Sequence, residues 1–235
     1  MNLPIDIKKK RDKSLLEKIE SGEIINKLWN NITHPYFPID NNYFRITPKR
    51  YNTDILTREI LNLNENWVKK DIIADSWESI TLKSINGEDQ SFLIKSELKN
   101  GNENMYKYTD IIDKLPNIKK ILDEIPSDIY LVRLLKLRKG KKIKYHTDEV
   151  VFNEREKIIR VHLPIITDPK IIFKIGYPLQ KPGEGYYIWN AIDLHTKHLN
   201  EGYLWCTNVN TIHGVENNSD IDRIHLVIDM KPIVT

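Results

Sequence analysis

The stretch Tyr145-His146-Thr147-Asp148 sets an imidazole and a carboxylate two residues apart. On an extended strand, side chains at i and i+2 leave from the same face, so this pair is placed to share one ion. Glu149 would fall on the opposite face from His146, which makes Asp148 the better acidic donor. Far downstream, Thr211-Ile212-His213-Gly214-Val215 offers a third donor, His213. Two histidines and one carboxylate that leave the other positions of a metal open form the set used by non-haem Fe(II) in oxygen chemistry.

Two later stretches share a design that bears on such a site. In Ile158–Ile166, Ile159, Val161, Leu163 and Ile165 make one apolar face, while Arg160 and His162 lie on the other. In Arg223–Met230, Ile224, Leu226, Ile228 and Met230 are apolar, and Arg223, His225 and Asp229 share the opposite face. A half-exposed strand also alternates, but a solvated face usually carries a Lys/Glu/Thr mixture and not Arg-x-His. An arginine inside a barrel needs an anion, because an unpaired buried charge is costly, and a bound carboxylate suits its planar fork. His213 and Arg223 are ten residues apart with a turn-like Glu216-Asn217-Asn218-Ser219-Asp220 between, so a hairpin-like return would bring them to one site.

The elements that must position these residues change character along the chain. Ile25, Leu28, Trp29 and Ile32 recur at helical spacing, and a second helix is predicted from Asp54 to Leu63 with Thr53 as N-cap. Ser79–Lys83 alternates like a strand, and Asn86-Gly87 is a turn signal before Ser91–Ile94. Thr109 is a candidate cap for an apolar helical segment reaching Ile125, which Pro116 breaks or restarts. From Ile129 the period becomes two, with turns at Lys139-Gly140, Pro182-Gly183, Glu201-Gly202 and Asn217-Asn218. Helices first and then a run of short strands predict a helix-flanked β-barrel or sandwich.

Composition bounds the remainder. The 235 residues are 40% hydrophobic, enough for a sizeable core, and a net charge of +3 with mixed signs gives no evidence of a nucleic-acid groove. The single cysteine, Cys206, excludes an internal disulfide and fits a reducing compartment. Met1–Arg11 is polar and lysine-rich with no apolar h-region, and no apolar run approaches the ~18 residues of a membrane span. The expectation is a cytoplasmic protein that meets neither membrane nor nucleic acid. It would be a single domain over residues 1–235, helical and mixed to residue 128 and β-rich from residue 129.

Taken in order, several stretches resemble the aspartyl/asparaginyl β-hydroxylase family of Fe(II)/2-oxoglutarate oxygenases, including its free-amino-acid, proline cis-hydroxylase-like branch. They are Arg133–Gly140, His146-Thr147-Asp148, Arg160–Ile165, Glu201–Trp205, Ile212–Asn217 and Asp222–Asp229. Each is short, and their shared order and gaps carry the likeness, which covers roughly Ile129–Met230. The resemblance implies an α+β, mainly β chain with a double-stranded β-helix (jelly-roll) core flanked by N-terminal helices. It implies His146, Asp148 and His213 as ligands of Fe(II), with 2-oxoglutarate as cosubstrate and O₂ as oxidant. It gives Arg223 to the distal carboxylate of 2-oxoglutarate, and sets Arg160 and His162 in the same cavity against cosubstrate or substrate. The implied activity is hydroxylation of an unactivated C–H bond of an amino acid or peptidyl residue, with release of succinate and CO₂. Relatives without the acidic ligand can leave room for a halide, so Asp148 argues for hydroxylation.

Other residues have blander readings. His195 and His198 lie in a polar segment and read as surface histidines, and His34 before Pro35 as structural or exposed. His225 shares a face with Arg223 and could equally reach the cavity or not. Tyr186, Tyr187, Trp189 and Trp205 read as strand aromatics, with Trp189 and Asn190 able to flank the cosubstrate, and Cys206 as a buried small hydrophobe. Lys8–Arg11 reads as a solvated helix start. Two rival functions use the same ligands: a jelly-roll module that holds a metal or ligand without turnover, and an O₂-independent cupin-type isomerase or lyase, which would have no use for Arg223.

Overall fold

The computed structural model describes residues 43–70, 77–89, 103–148, 158–180, 190–209 and 211–231. The chain clusters into two compact units, Met1–Asn42 and Tyr43–Thr235, and all described residues lie in the second. The helix expected around Ile25–Ile32, the strand at Ser91–Ile94, the turn at Pro182-Gly183 and the aromatics Tyr186, Tyr187 and Trp189 lie outside the described residues, as do His34 and Lys8–Arg11.

Among the described residues, twelve strands form two antiparallel sheets: β1 (Tyr43–Arg45), β2 (Val68–Lys70), β3 (Trp77–Ile85), β4 (Tyr106–Tyr108), β5 (Ile129–Leu137), β6 (Lys142–His146), β7 (Ile159–Ile166), β8 (Ile171–Gln180), β9 (Asn190–Lys197), β10 (Trp205–Thr207), β11 (His213–Asn217) and β12 (Arg223–Met230). The larger sheet runs β1-β10-β7-β12-β5-β3-β2, with β4 paired to β3, and the smaller runs β6-β11-β8-β9. From β5 onward the chain alternates between the sheets, except at the paired β8 and β9 of the smaller one, which is the order of a double-stranded β-helix, as the resemblance implied. The residues before Ile129 do more than flank it, since β3 pairs with β5 and extends the larger sheet.

The faces of the larger sheet differ as the alternation predicts. On one, Val161, Leu163, Leu134, Leu226 and Ile228 are completely buried. Helix α1 (Thr53–Leu61) packs against β7 and against α2 (Pro116–Glu124), burying Leu56 and Ile60, while α2 buries Ile118, Ile121 and Leu122. The other face meets the smaller sheet at Phe173 of β8. Its ring lies edge-on to Tyr43 and His162 at centroid distances of 5.6 and 5.8 Å and stacks on His213 at 5.6 Å.

Local details correct two expectations and bear out two others. The cap of α1 is Asn52, whose side chain accepts from the Asp54 N–H at 3.1 Å, and Thr53 is its first helical residue. The Thr109 hydroxyl donates to the Thr81 carbonyl at 3.0 Å, pinning the segment to β3 instead of capping it. After it comes a 3₁₀ turn, Asp110–Lys114, and Pro116 restarts the chain as the first residue of α2, where a missing N–H costs nothing. The Asn86-Gly87 turn is present with φ of 56° and 76°, the left-handed pair that a tight hairpin needs. No helix among the described residues is long and apolar enough to cross a membrane.

Candidate metal centre

β6 and β11 are hydrogen-bonded neighbours, and their register sets His146 directly opposite His213. The register then shifts, so that Val215 faces Ile143. Gly214 sits in this irregularity, where an added Cβ would come within 2.9 Å of the Ile143 carbonyl oxygen. Only a residue without a side chain allows the two strands to close there. The two imidazoles are consequently 4.2 Å apart between centroids, tilted by 49°.

Asp148 reaches the pair from just beyond the end of β6, where its backbone N–H donates to the Val209 carbonyl at 3.0 Å. The same-face reading therefore holds for the side chain, although the strand itself stops at His146. Asp148 Oδ1 lies 3.5 Å from His146 Nε2, and Asp148 Oδ2 lies 3.7 Å from His213 Nε2. One ligand atom from each of the three residues falls within 4.8 Å of the others. An ion held at about 2.1 Å from each donor would need them about 3 Å apart, so only small side-chain rotations separate this set from closure.

The tautomers are fixed by what lies behind the rings. His146 Nδ1 is 2.8 Å from the Lys144 carbonyl, and His213 Nδ1 is 3.0 Å from the Thr211 carbonyl. A carbonyl only accepts, so each Nδ1 carries a proton, and each Nε2 faces Asp148. Burial, joined by the neighbouring His146 ring, pushes His213 down to about 3. Burial alone would raise Asp148, but Arg160, with the two histidines and Arg133, holds it well below the usual carboxylate range. The centre thus presents two imidazole Nε2 atoms and one ionised carboxylate, the donor types that metal ligation uses.

Behind this centre, the inward face of the larger sheet carries the remaining candidates. Arg160 is taken up by carboxylates of the chain itself: Nε and Nη2 donate to Asp229 Oδ1 and Oδ2 at 2.7 and 2.9 Å, and Nη1 donates to Asp148 Oδ2. His162 is buried with neither ring nitrogen hydrogen-bonded, and burial, with Arg223 and Arg160 nearby, holds it well below the ordinary histidine range. Arg223 is buried to 2% exposure and meets no carboxylate among the described residues. Its Nη2 donates to His225 Nδ1 at 2.8 Å and its Nε has no partner, and burial pushes the guanidinium down to about 9. Because arginine only donates, His225 must carry its proton on Nε2, which is likewise unpartnered. His162 and His225 are 5.8 Å apart between ring centroids.

Four contributors escape sequence reading, in whole or in part. Asp229 was visible on the polar face of β12 but not its pairing with Arg160, which depends on strand register. Arg133, on β5, stands with one nitrogen 3.7 Å from Asp229 Oδ2. Phe173 gave no signal at all. Asn217, read as part of a turn, is buried and donates through Nδ2 to the Leu137 and Ile221 carbonyls at 3.1 and 2.9 Å, tying the β11–β12 connection to the end of β5 beside Arg223. His195 is half-buried on β9, His198 bonds the Ile171 carbonyl at 3.1 Å, and Cys206 is buried, its thiol pushed up by burial. None of the three is in the metal-ligand cluster.

A comparison with curated proteins returned no match. Among solved structures, the chain is similar to HygX from Streptomyces hygroscopicus with nickel and 2-oxoglutarate bound, at 10% identity over 81% of this chain and 83% of that one, TM-score 0.43. It is also similar to a 2OG-Fe(II) oxygenase family oxidoreductase from Burkholderia pseudomallei, at 14% identity over 74% and 76% of the two chains, TM-score 0.38. A cupin domain from Bordetella pertussis matches at 18% identity over 46% of this chain and 88% of that one, TM-score 0.29. None of these distant likenesses bears on activity. A family model described as aspartyl/asparaginyl beta-hydroxylase matches residues 51–232, most of the chain. That span holds both histidines, Asp148 and both cavity arginines, and the chain belongs to the aspartyl/asparaginyl β-hydroxylase family.

Proposed function

We propose that this chain is an Fe(II)- and 2-oxoglutarate-dependent dioxygenase that hydroxylates an unactivated C–H bond of an amino acid or peptidyl residue, releasing succinate and CO₂. The observation that carries the reading is the convergence of His146 Nε2, His213 Nε2 and the Asp148 carboxylate. A two-nitrogen, one-oxygen set on one side of an ion suits non-haem Fe(II) and leaves the opposite positions for cosubstrate and oxygen. Arg223 supports the second component: a buried guanidinium that meets no carboxylate among the described residues suits an anion from outside the chain.

When bound, the ion together with 2-oxoglutarate and O₂ supplies the oxidation that places one oxygen atom on the substrate. The chain's part is positioning. His146 and His213, locked by their carbonyl bonds, and Asp148, held by Arg160, fix the ligand geometry. Arg223 takes the distal carboxylate of 2-oxoglutarate, and His225 aims Arg223 by accepting from Nη2. His162 lines the same wall. Phe173, Leu137, Val215 and Trp205, all buried, keep water from the reacting atoms. Asp148 fills the position that a halide would need, which favours hydroxylation. A cupin-type isomerase or lyase could use the same three ligands, but it gives Arg223 no role.

The test is turnover. Protein supplied with Fe(II), 2-oxoglutarate and O₂ is offered the twenty amino acids and small peptides, with succinate measured alongside product mass. Succinate formed in step with a product 16 Da heavier, where 16 is about the mass of the inserted oxygen atom, supports the proposal. Uncoupled metal binding with no succinate from any candidate contradicts it.

A further inference from the structure

Asp229 is completely buried on β12, directly across the ladder from Arg160 on β7. Its two oxygens take the Nε and Nη2 of Arg160 at 2.7 and 2.9 Å, a fork-to-fork pair that fixes the plane of the guanidinium. Arg133 stands behind it, one nitrogen 3.7 Å from Asp229 Oδ2. The remaining nitrogen of Arg160, Nη1, donates to Oδ2 of Asp148. Asp148 itself stands past the end of β6, outside the ladder, where its backbone N–H is tied to Val209. A ligand in that place depends on its side chain being held.

We propose that Asp229 is a positioning residue for the metal. By clamping Arg160 it keeps Asp148 Oδ2 capped, so that Oδ1, the oxygen 3.5 Å from His146 Nε2, is the one offered to the ion. The inference rests on the reading of His146, Asp148 and His213 as the metal site. It assigns Arg160 to the ligand and leaves Arg223 for the incoming dicarboxylate. Lysine cannot replace Arg160, because one ammonium cannot span both carboxylates in this geometry.

The probe is Mn(II) binding to the apo-protein, without 2-oxoglutarate or substrate, followed by the electron paramagnetic resonance of free Mn(II). Wild type should bind one ion, and His213→Ala should not. Asp229→Asn should weaken Mn(II) at least about tenfold, the usual cost of losing the group that orients a ligand. Arg160→Lys should do the same, and the two changes combined should cost little more than either alone, since both act through one contact. Thermal unfolding of each apo variant establishes that it is folded. Should Asp229→Asn not fold, Arg160→Lys carries the same test while keeping the charge. Wild-type Mn(II) affinity in either folded variant, or losses that simply add, would overturn the proposal. If Arg160 instead serves a substrate carboxylate, the variants will raise the substrate KM and leave Mn(II) affinity untouched. Absence of His213-dependent Mn(II) binding in wild type would overturn the metal reading itself, and this inference with it.

Discussion

Arg160 and Arg223 stand on neighbouring strands of one sheet, face the same interior and each precede a histidine by two residues, yet they are electrostatic opposites. Arg160 is saturated by two carboxylates, and those partners raise its basicity against the effect of burial. Arg223 is more deeply buried, with one neutral imidazole for a partner, and burial pulls its basicity down. The same motif has thus been used once to complete the protein and once to leave it incomplete. A charge that the fold pairs is structural or positioning, whereas one that the fold buries and leaves unpaired is poised for a ligand.

The largest expected effect lies at the ion both ends serve. Asp148→Ala should abolish succinate formation, while the far-ultraviolet circular dichroism remains that of the wild type. Activity at the wild-type level would show that another group is the acidic ligand. The two arginines should then separate cleanly. Arg223→Met should raise the KM for 2-oxoglutarate by about a hundredfold, the order of a lost charge-assisted bidentate contact, without changing Mn(II) affinity. A shared loss of both would erase the distinction between the two arginines.

Chemical denaturation of the apo-protein offers the same contrast with no turnover. Arg160→Met should cost about 3–5 kcal/mol, because it strands Asp229, completely buried, without its fork. Arg223→Met removes a charge that had no counter-ion and should leave stability unchanged or raise it. Equal losses would mean that Arg223 has a structural partner after all.

Acid should expose the unpaired end. His162 and His225 are held neutral, chiefly by burial and then by the charge of Arg223, with folded-state values well below the ordinary 6.5. The unfolded chain therefore binds more protons below that value, so their contribution is intact above pH 6.5 and is lost as pH falls. Two such groups lower stability by about 3 kcal/mol per pH unit, and His213, pushed to about 3, adds to the slope. Urea midpoints at pH 7.0 and about 5.5 measure this, and a flat profile would contradict the burial of these rings. The smallest effect belongs to His225→Phe, which loses the acceptor that aims Arg223. It should raise the KM for 2-oxoglutarate about tenfold, less than Arg223→Met does.

What was legible in the sequence follows from which interactions are local. β12 has the bounds its alternation marked, and β7 differs from its pattern by one residue, because period two is written into consecutive residues. His146, Asp148 and His213, which the fold brings together, were legible through the order and gaps of several short motifs, since a His-x-Asp alone is common by chance. Partner identity was not. That Arg160 would find Asp229 depends on a register of two strands separated by some sixty residues of chain, which no local pattern encodes. Phe173 looks like any strand aromatic until the sheets close over it. At α1 the cap moved from Thr53 to Asn52, both good cap formers, because adjacent candidates differ only in which one the chain leaves extended.

The central claim is that His146, Asp148 and His213 hold Fe(II) in a way that admits 2-oxoglutarate, with Arg223 taking its far end. Anaerobic titration of the apo-protein with Fe(II) and then 2-oxoglutarate tests this directly. The account predicts a weak metal-to-ligand charge-transfer band that saturates at one equivalent of each, needs much more 2-oxoglutarate in Arg223→Met, and is absent in Asp148→Ala. Iron binding with no such band at any 2-oxoglutarate concentration would contradict it.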